Sequence, residues 1–336
     1  MSGNGYVLFE WISLAVLVGI LIFDVLLVVK RPHIPSTKES TAWVTFYALL
    51  AVAFGVIIWQ MFGAELGAEF YAGWLTEYSL SIDNLFVFII IMSRFKVPRH
   101  LQQEVLMFGV VIALVLRGIF ILIGAALIKD FSWIFYIFGA FLLYTAYHQA
   151  FRSHDDEEES EGRLIGWLRR KFSVSDEYDG AKLRTKVNGK TMLTPMLMVF
   201  VAIAATDVMF AFDSIPAIFG ITQDPFIVFT ANVFALMGLR QLYFLLGGLL
   251  DRLVYLKYGI AFILGFIGFK LLAHAMHVNE LPFINGGKHI EWAPEIPTYV
   301  SLSVIVASIV VSAVASLMKT SKPKQTEEAK DSAKAE

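Results

Sequence analysis

An all-α, polytopic membrane protein of about nine transmembrane helices, with an inverted three-helix repeat, is the fold class these 336 residues predict. Three observations carry it. Hydrophobic residues make up 57% of the chain and charged ones 17%, against about 25% charged in an ordinary soluble domain. Runs of about 20 apolar residues, each long enough to cross a hydrocarbon core of about 30 Å, recur from end to end. Two of these runs carry paired carboxylates at matching positions: Glu77 and Asp83 in EYSLSIDNLFVF, Asp207 and Asp213 in TDVMFAFDSIPA. Each pair is six residues apart, and the second is offset from the first by 130 positions.

The apolar runs define nine spans, roughly 7–29, 42–62, 71–92, 104–127, 132–150, 194–219, 226–249, 254–276 and 298–318. Two N-terminal spans thus occupy 1–69 and a first three-helix unit 70–150. A polar loop follows at 151–193, then a second unit at 194–277, a loop at 278–297, the last span at 298–318 and a tail at 319–336. The first run lacks a basic leader and a small-residue cleavage site, so it reads as a retained helix. Lysine and arginine then set the orientation. Lys30, Arg31, Lys38, Arg94, Lys96, Arg99, Arg252 and Lys257 share one side with the nine Lys/Arg of the 151–193 loop and with the tail after Lys319. The other side holds Lys129 and Lys288. That bias predicts the N-terminus outside and the C-terminus in the cytoplasm. The acidic run from Asp155 to Glu161 marks a solvated, mobile loop rather than a metal sensor, and the tail, rich in Lys, Glu and Ala, reads as disordered.

Composition also excludes. A net charge of −2 offers nothing to nucleic acid, and the lack of cysteine removes disulfides, thiolate metal sites and iron–sulfur clusters. No phosphate-binding glycine loop is present, which disfavours an ATP-driven pump.

The carboxylate offset has company. Leu116, Arg117 and Gly124 in the fourth span match Leu239, Arg240 and Gly247 in the seventh, and Gly139 and His148 in the fifth match Gly265 and His274 in the eighth. Spans three to five therefore resemble spans six to eight. Units of three spans must face opposite ways across the bilayer, an architecture of transporters whose substrate site lies near the midplane between the repeats.

An ionisable group at the bilayer centre costs about 2.5–3.5 kcal/mol on insertion scales, so four of them in one repeated pattern point to a site. Six residues rise about 9 Å and turn 600°, which leaves the two side chains of each pair about 120° apart on a straight helix. One site therefore needs an interrupted helix or ligands from several helices. Pro216 is the candidate interruption, since it frees carbonyls near Phe212 and Asp213. Ser79, Ser81 and Asn84 crowd polar groups around Asp83, and Asn232 adds an amide oxygen from the seventh span. The expected layout brings Asp83 and Asp213 together at mid-depth, with Glu77 towards the outside and Asp207 towards the cytoplasm. Carboxylate, amide and carbonyl oxygens suit Mn²⁺, Mg²⁺ or Ca²⁺ over Cu⁺ or Zn²⁺.

Plainer roles stand beside these. Glu77 can snorkel to the interface, Asp207 can be held structurally in its helix, and Asp24 reads as an interfacial residue rather than a ligand. Arg117, Arg240 and Lys270 lie within spans and can neutralise carboxylates when no metal is present. Their sharper role is to alternate with the transported ion as surrogate cations. His148 and His274 read as interfacial; His277, His289 and Glu291 lack a metal-binding spacing.

SIDNLFVF around Asp83 and Asn84, ATDVMFAFDSIPAIFGIT around Asp207 and Asp213, and FTANVFALMGLRQLYFLL around Asn232 and Arg240 resemble the TerC family of tellurium-resistance membrane proteins, over roughly residues 7–318. The resemblance implies a multi-pass protein of the bacterial inner membrane, related to LysE-type exporters and associated with Mn²⁺ efflux, tellurite or alkaline-pH phenotypes and metal loading of exported proteins. On that likeness Glu77, Asp83, Asn84, Asp207, Asp213 and Asn232 are the candidate ion-handling residues.

The expected function is a secondary transporter that exports a divalent ion, Mn²⁺ foremost, with protons as counter-ion, no permanently bound cofactor, and the ion, protons and the lipid bilayer as partners. Carboxylates shielded from water can trade a proton for a metal. An enzyme is not expected: an intramembrane aspartyl protease would need Tyr-Asp and Gly-x-Gly-Asp contexts, whereas here the aspartates follow Ile82 and Phe212. The alternative is a non-transporting scaffold for metal-stress, tellurite-resistance or protein-metalation partners.

Overall fold

The computed structural model describes residues 3–30, 35–151, 175, 178–187, 190–246, 255–290 and 292–332. It is helical almost throughout: α1 (Gly3–Lys30), α2 (Thr37–Phe62), α3 (Ala64–Arg94), α4 (Arg99–Asp130), α5 (Ile134–Phe151), α6 (Pro195–Phe219), α7 (Pro225–Leu236), α8 (Leu239–Leu246), α9 (Leu256–His277) and α10 (Thr298–Ser332). Arg31, the acidic run 155–161, Gly247, Arg252 and Glu291 lie outside the described residues, as does the side chain of Asp83.

Among the described residues, eight stretches are long and apolar enough to cross a membrane, with α7 and α8 together making one of them. The ninth expected span, α5, has 18 residues and ends in a turn carrying His148 and Gln149, so it falls outside the eight. It is nevertheless packed into the bundle against α9. A Cβ on Gly139 would stand 2.9 Å from the Gly268 carbonyl, and one on Gly268 would stand 3.0 Å from that of Gly139. Two bare backbones meet there, the close approach that small residues permit between membrane helices.

The surface inverts that of a soluble protein. Leu8, Trp11, Val115, Leu122, Tyr147 and Val311 point outward, while Glu77, Arg117, Asp207 and Asn232 are buried. Lipid tails solvate the outward side chains at no cost, so apolar residues need not be hidden and the polar ones must be.

Local chemistry sets the helix ends. Ser36 caps α2 by accepting from the Glu39 amide at 3.3 Å. Gly63 turns between α2 and α3 at φ 107°, a conformation that suits glycine. Asp224 caps α7, accepting from the amides of Phe226 at 2.9 Å and Ile227 at 3.3 Å, with Pro225 at the first helical position. Tyr6 donates to the other Asp224 oxygen at 2.5 Å and so ties α1 to the start of α7.

Four expectations are corrected. The helix interruption is not at Pro216, which sits in the last turn of a continuous α6; the break falls at Met237–Gly238, between α7 and α8, where Gly238 takes φ 87°. A proline three residues from a helix end disrupts little, whereas a residue with positive φ stops the ladder. The third span begins at Ala64, not near residue 71, because Glu65 and Glu69 are accommodated in its first turns. The 151–193 loop is not wholly a loose connection. β1 (Arg184–Val187) and β2 (Lys190–Leu193) pair antiparallel, Arg184 opposite Leu193 and Val187 opposite Lys190. Tyr178 anchors this end of the segment by donating to the Phe95 carbonyl at 2.8 Å. The sequence Asn188-Gly189 between the strands is the dipeptide most favoured for a two-residue hairpin. Finally, α10 continues to Ser332 where a disordered tail was expected. Lys, Glu, Gln and Ala, read as a solvated tail, are also strong helix formers, and a preceding span nucleates them.

Candidate functional site

Arg117 lies in α4 with a 1% exposed side chain and is among the largest fully buried residues of the chain. Its Nη1 donates to Glu77 Oε2 of α3 at 2.5 Å, and its Nε donates to Asp207 Oδ1 of α6 at 3.3 Å. In the amide orientation that satisfies both of its polar atoms, Asn84 accepts from Arg117 Nη2 at 3.1 Å and donates to the Leu80 carbonyl at 3.0 Å. One guanidinium thus gathers two carboxylates and an amide from two helices. The planar fork of arginine suits this; an ammonium would not span three acceptors in that arrangement.

The site is not saturated. Glu77 Oε1 and Asp207 Oδ2 are buried without a hydrogen-bond partner among the described residues, and so, along α3, α6 and α7, are the hydroxyls of Thr76, Ser79, Ser81 and Ser214 and both ends of the Asn232 amide. A buried polar atom left unpaired costs about 1–3 kcal/mol. Ser214 of α6 faces Glu77. Two carboxylates beside one guanidinium carry a formal charge of −1 when both are ionised.

The depths differ from the expected layout. Glu77 lies 13 residues past Ala64 and Asp207 12 past Pro195, about 20 and 18 Å along their helices. Both are therefore mid-helix residues at one cation, not flanking groups near opposite surfaces. The earlier start of α3 accounts for the change. Asp213 is partly exposed, and its Oδ1 accepts from Thr145 of α5 at 3.3 Å, so its observed partner is on α5 rather than in the Arg117 cluster. Among the described residues no three His, Asp or Glu side chains are grouped to hold a metal. Glu77, Asn84, Asp207 and Arg117 come together; Asp213, Arg240 and Lys270 have other surroundings.

Arg240 pairs instead with Asp24 of α1, Nη2 to Oδ1 at 2.8 Å, and Tyr47 of α2 donates to the same oxygen at 3.1 Å. Asp24 is thus an ion-pair partner, not only an interfacial residue. The signal was available: an arginine within a span demands a counter-charge, and Asp24 is the one carboxylate late in the first span. Lys270 of α9 borders a cavity of about 870 Å³ with Glu65, Glu69, His274 and Glu295. Glu69 accepts there from Thr222 at 2.5 Å, and His277 meets Glu295 at 2.9 Å.

Comparison with known proteins agrees with the motifs. The chain is 44% identical over 321 residues to an uncharacterized membrane protein of Mycobacterium tuberculosis, covering 94% of this chain and 80% of that one. It is 38% identical over 307 residues to an uncharacterized membrane protein of Myxococcus xanthus, covering 91% of each. It is 42% identical over 272 residues to Alx of Escherichia coli, named as a candidate membrane-bound redox modulator, covering 78% of this chain and 85% of Alx. No solved structure matches it. The description of the integral membrane protein TerC family fits residues 62–324, which include the whole Glu77–Arg117–Asp207 cluster, and the chain belongs to that family.

Proposed function

We propose that the protein is a secondary transporter that exports a divalent metal ion, Mn²⁺ foremost, in exchange for protons. Glu77 and Asp207 form the cargo site, and Arg117 holds them when cargo is absent. The supporting observation is the sharing of one buried guanidinium by carboxylates from the two carboxylate-bearing helices, each with one oxygen unpaired. A divalent ion replacing the guanidinium turns a formal charge of −1 into zero, which favours the exchange in a low-dielectric site. Asn84, Ser214 and Asn232 are the neutral oxygen donors that complete a hard-ion shell. Asp83 and Asp213, six residues further along each helix, serve as stations between the centre and the two faces. The inner membrane of a bacterium, with the N-terminus outside, is the setting this requires.

The test is metal uptake into inverted vesicles containing the purified protein, with Mn²⁺, Ca²⁺, Mg²⁺ and Zn²⁺ compared with and without a pH gradient. Uptake of Mn²⁺ that is lost in Glu77→Gln and in Asp207→Asn supports the proposal; equal uptake by these variants sinks it. The lack of a three-carboxylate or histidine cluster among the described residues favours a second reading, a membrane scaffold without transport. On that reading the cellular phenotype survives both substitutions. A redox-modulating role like the one Alx is named for would here proceed without cysteine thiols.

A further inference from the structure

The break between α7 and α8 encloses a second polar site, separate from the Arg117 cluster. A cavity of about 30 Å³ is bordered there by Asp24, Tyr47, Arg240 and Gln241, and by the backbone at Met237 and Gly238. That volume holds one water or one small ion. Met237 is extended at ψ 127° and Gly238 lies at φ 87°, so the helical ladder stops inside a membrane-length segment. The last carbonyls of α7 and the first amides of α8 consequently lose in-helix partners. Gln241 is 2% exposed, and its Oε1 has no hydrogen-bond partner among the described residues. An unpaired acceptor in such dry surroundings calls for an occupant.

We infer that this pocket binds the coupling ion, a monovalent cation that displaces Arg240 from Asp24. The charge count selects the class. Asp24 is a single carboxylate that one positive charge neutralises as Arg240 does, whereas a divalent ion would add a second unpaired charge beside the displaced Arg240. The side-chain donors are all oxygen: the Asp24 carboxylate, the Tyr47 hydroxyl and the Gln241 amide, with the break at Met237 and Gly238 bordering the same pocket. Unwound helix segments of this kind supply ion-coordinating carbonyls in membrane transporters. The groups that face Asp24 are Arg240 from α8 and Tyr47 from α2, while α4 presents Met107, Val110 and Val111, so little else there competes for the charge. The pocket thereby mirrors the central site: two carboxylates and an arginine for a divalent cargo, one carboxylate and an arginine for its counter-ion. A proton and Na⁺ share this chemistry. Coupling to export rests on the transporter reading above; occupancy of the pocket does not.

The test uses the full-length protein in detergent micelles and reads its unfolding temperature. In one arm NaCl replaces choline chloride at constant ionic strength; in the other, pH is varied in choline chloride. A saturable response in either arm is expected, Na⁺ or proton according to the arm. It should vanish in the charge-neutral double variant Asp24→Asn/Arg240→Gln. Tyr47→Phe and Gln241→Leu keep the ion pair and should move the midpoint on the order of tenfold, as loss of a bond to a charged group does, which secures the test if the double variant does not fold. No response in either arm, or one unchanged in all these variants, overturns the inference. Protection by Mn²⁺, read on the same samples, reports the central site separately. Its absence beside an intact monovalent response counts against the exporter reading alone.

Discussion

Glu77 and Asp207, 130 residues apart in the chain, are joined through a single guanidinium: Arg117 Nη1 reaches one at 2.5 Å and Nε the other at 3.3 Å. Their helices α3 and α6 carry the two halves of the repeated carboxylate pattern. The partner of the pair is therefore a cation built into α4, and on the transporter reading proposed above an ion bound there must compete with it.

Arg117→Gln removes that cation and leaves two buried carboxylates facing each other. Breaking a buried pair costs about 3–5 kcal/mol, so the purified variant should unfold at a clearly lower temperature in metal-free detergent. Added Mn²⁺ should recover most of the loss, because the ion takes the vacated position. A variant as stable as wild type without metal would mean that Arg117 does not hold the pair together.

On the exporter reading, position along the helices gives the carboxylates different roles. In vesicle uptake, Glu77→Gln and Asp207→Asn should reduce Mn²⁺ flux to background while protein remains in the membrane. Asp213→Asn, whose carboxylate accepts from Thr145, should slow flux by on the order of tenfold and leave binding intact. Equal loss in all three would place Asp213 in the binding site itself.

The α5–α9 crossing depends on the absence of side chains. Gly139→Val puts methyl groups where the Gly268 carbonyl and Leu272 already stand, with 2.9 Å and 2.7 Å to a bare Cβ. Overpacking of this kind costs about 1–3 kcal/mol, and the helices should separate or shift. Gly19, whose Cβ would meet nothing within 4 Å, is the control: Gly19→Ala, which also favours the helix, should not lower the unfolding temperature.

The hairpin before α6 should respond to acid in one direction only. Asp179 accepts from Lys182 at 3.1 Å and from Thr185 at 3.0 Å, and these bonds hold its carboxyl below the usual aspartate range. A lowered value means the stabilisation is present above the ordinary aspartate value and is lost as pH falls through the lowered one. Protection of the amides at 182–187, taken relative to their intrinsic exchange rates at each pH, should therefore hold at neutral pH and fall only in strong acid. Tyr178→Phe, by removing the bond to Phe95, should speed that exchange at every pH.

Much of this was legible in the residues themselves. Apolar runs of membrane length, the lysine and arginine bias and the doubled carboxylate pattern are local or periodic features, and they set the class of fold and pointed to Glu77, Asn84, Arg117 and Asp207. Met237-Gly238 and Asn188-Gly189 were visible too, yet a glycine in an apolar run does not reveal whether it bends the helix or lets another approach.

What the tertiary structure alone decided is the pairing. Hydrophobicity in lipid is satisfied by any helix arrangement, so it sets which segments span but not which neighbours they take. The choice that Arg117 serves Glu77 and Asp207 while Arg240 serves Asp24 comes from buried charges each needing a partner within about 3 Å, a demand that only packed helices in three dimensions can meet.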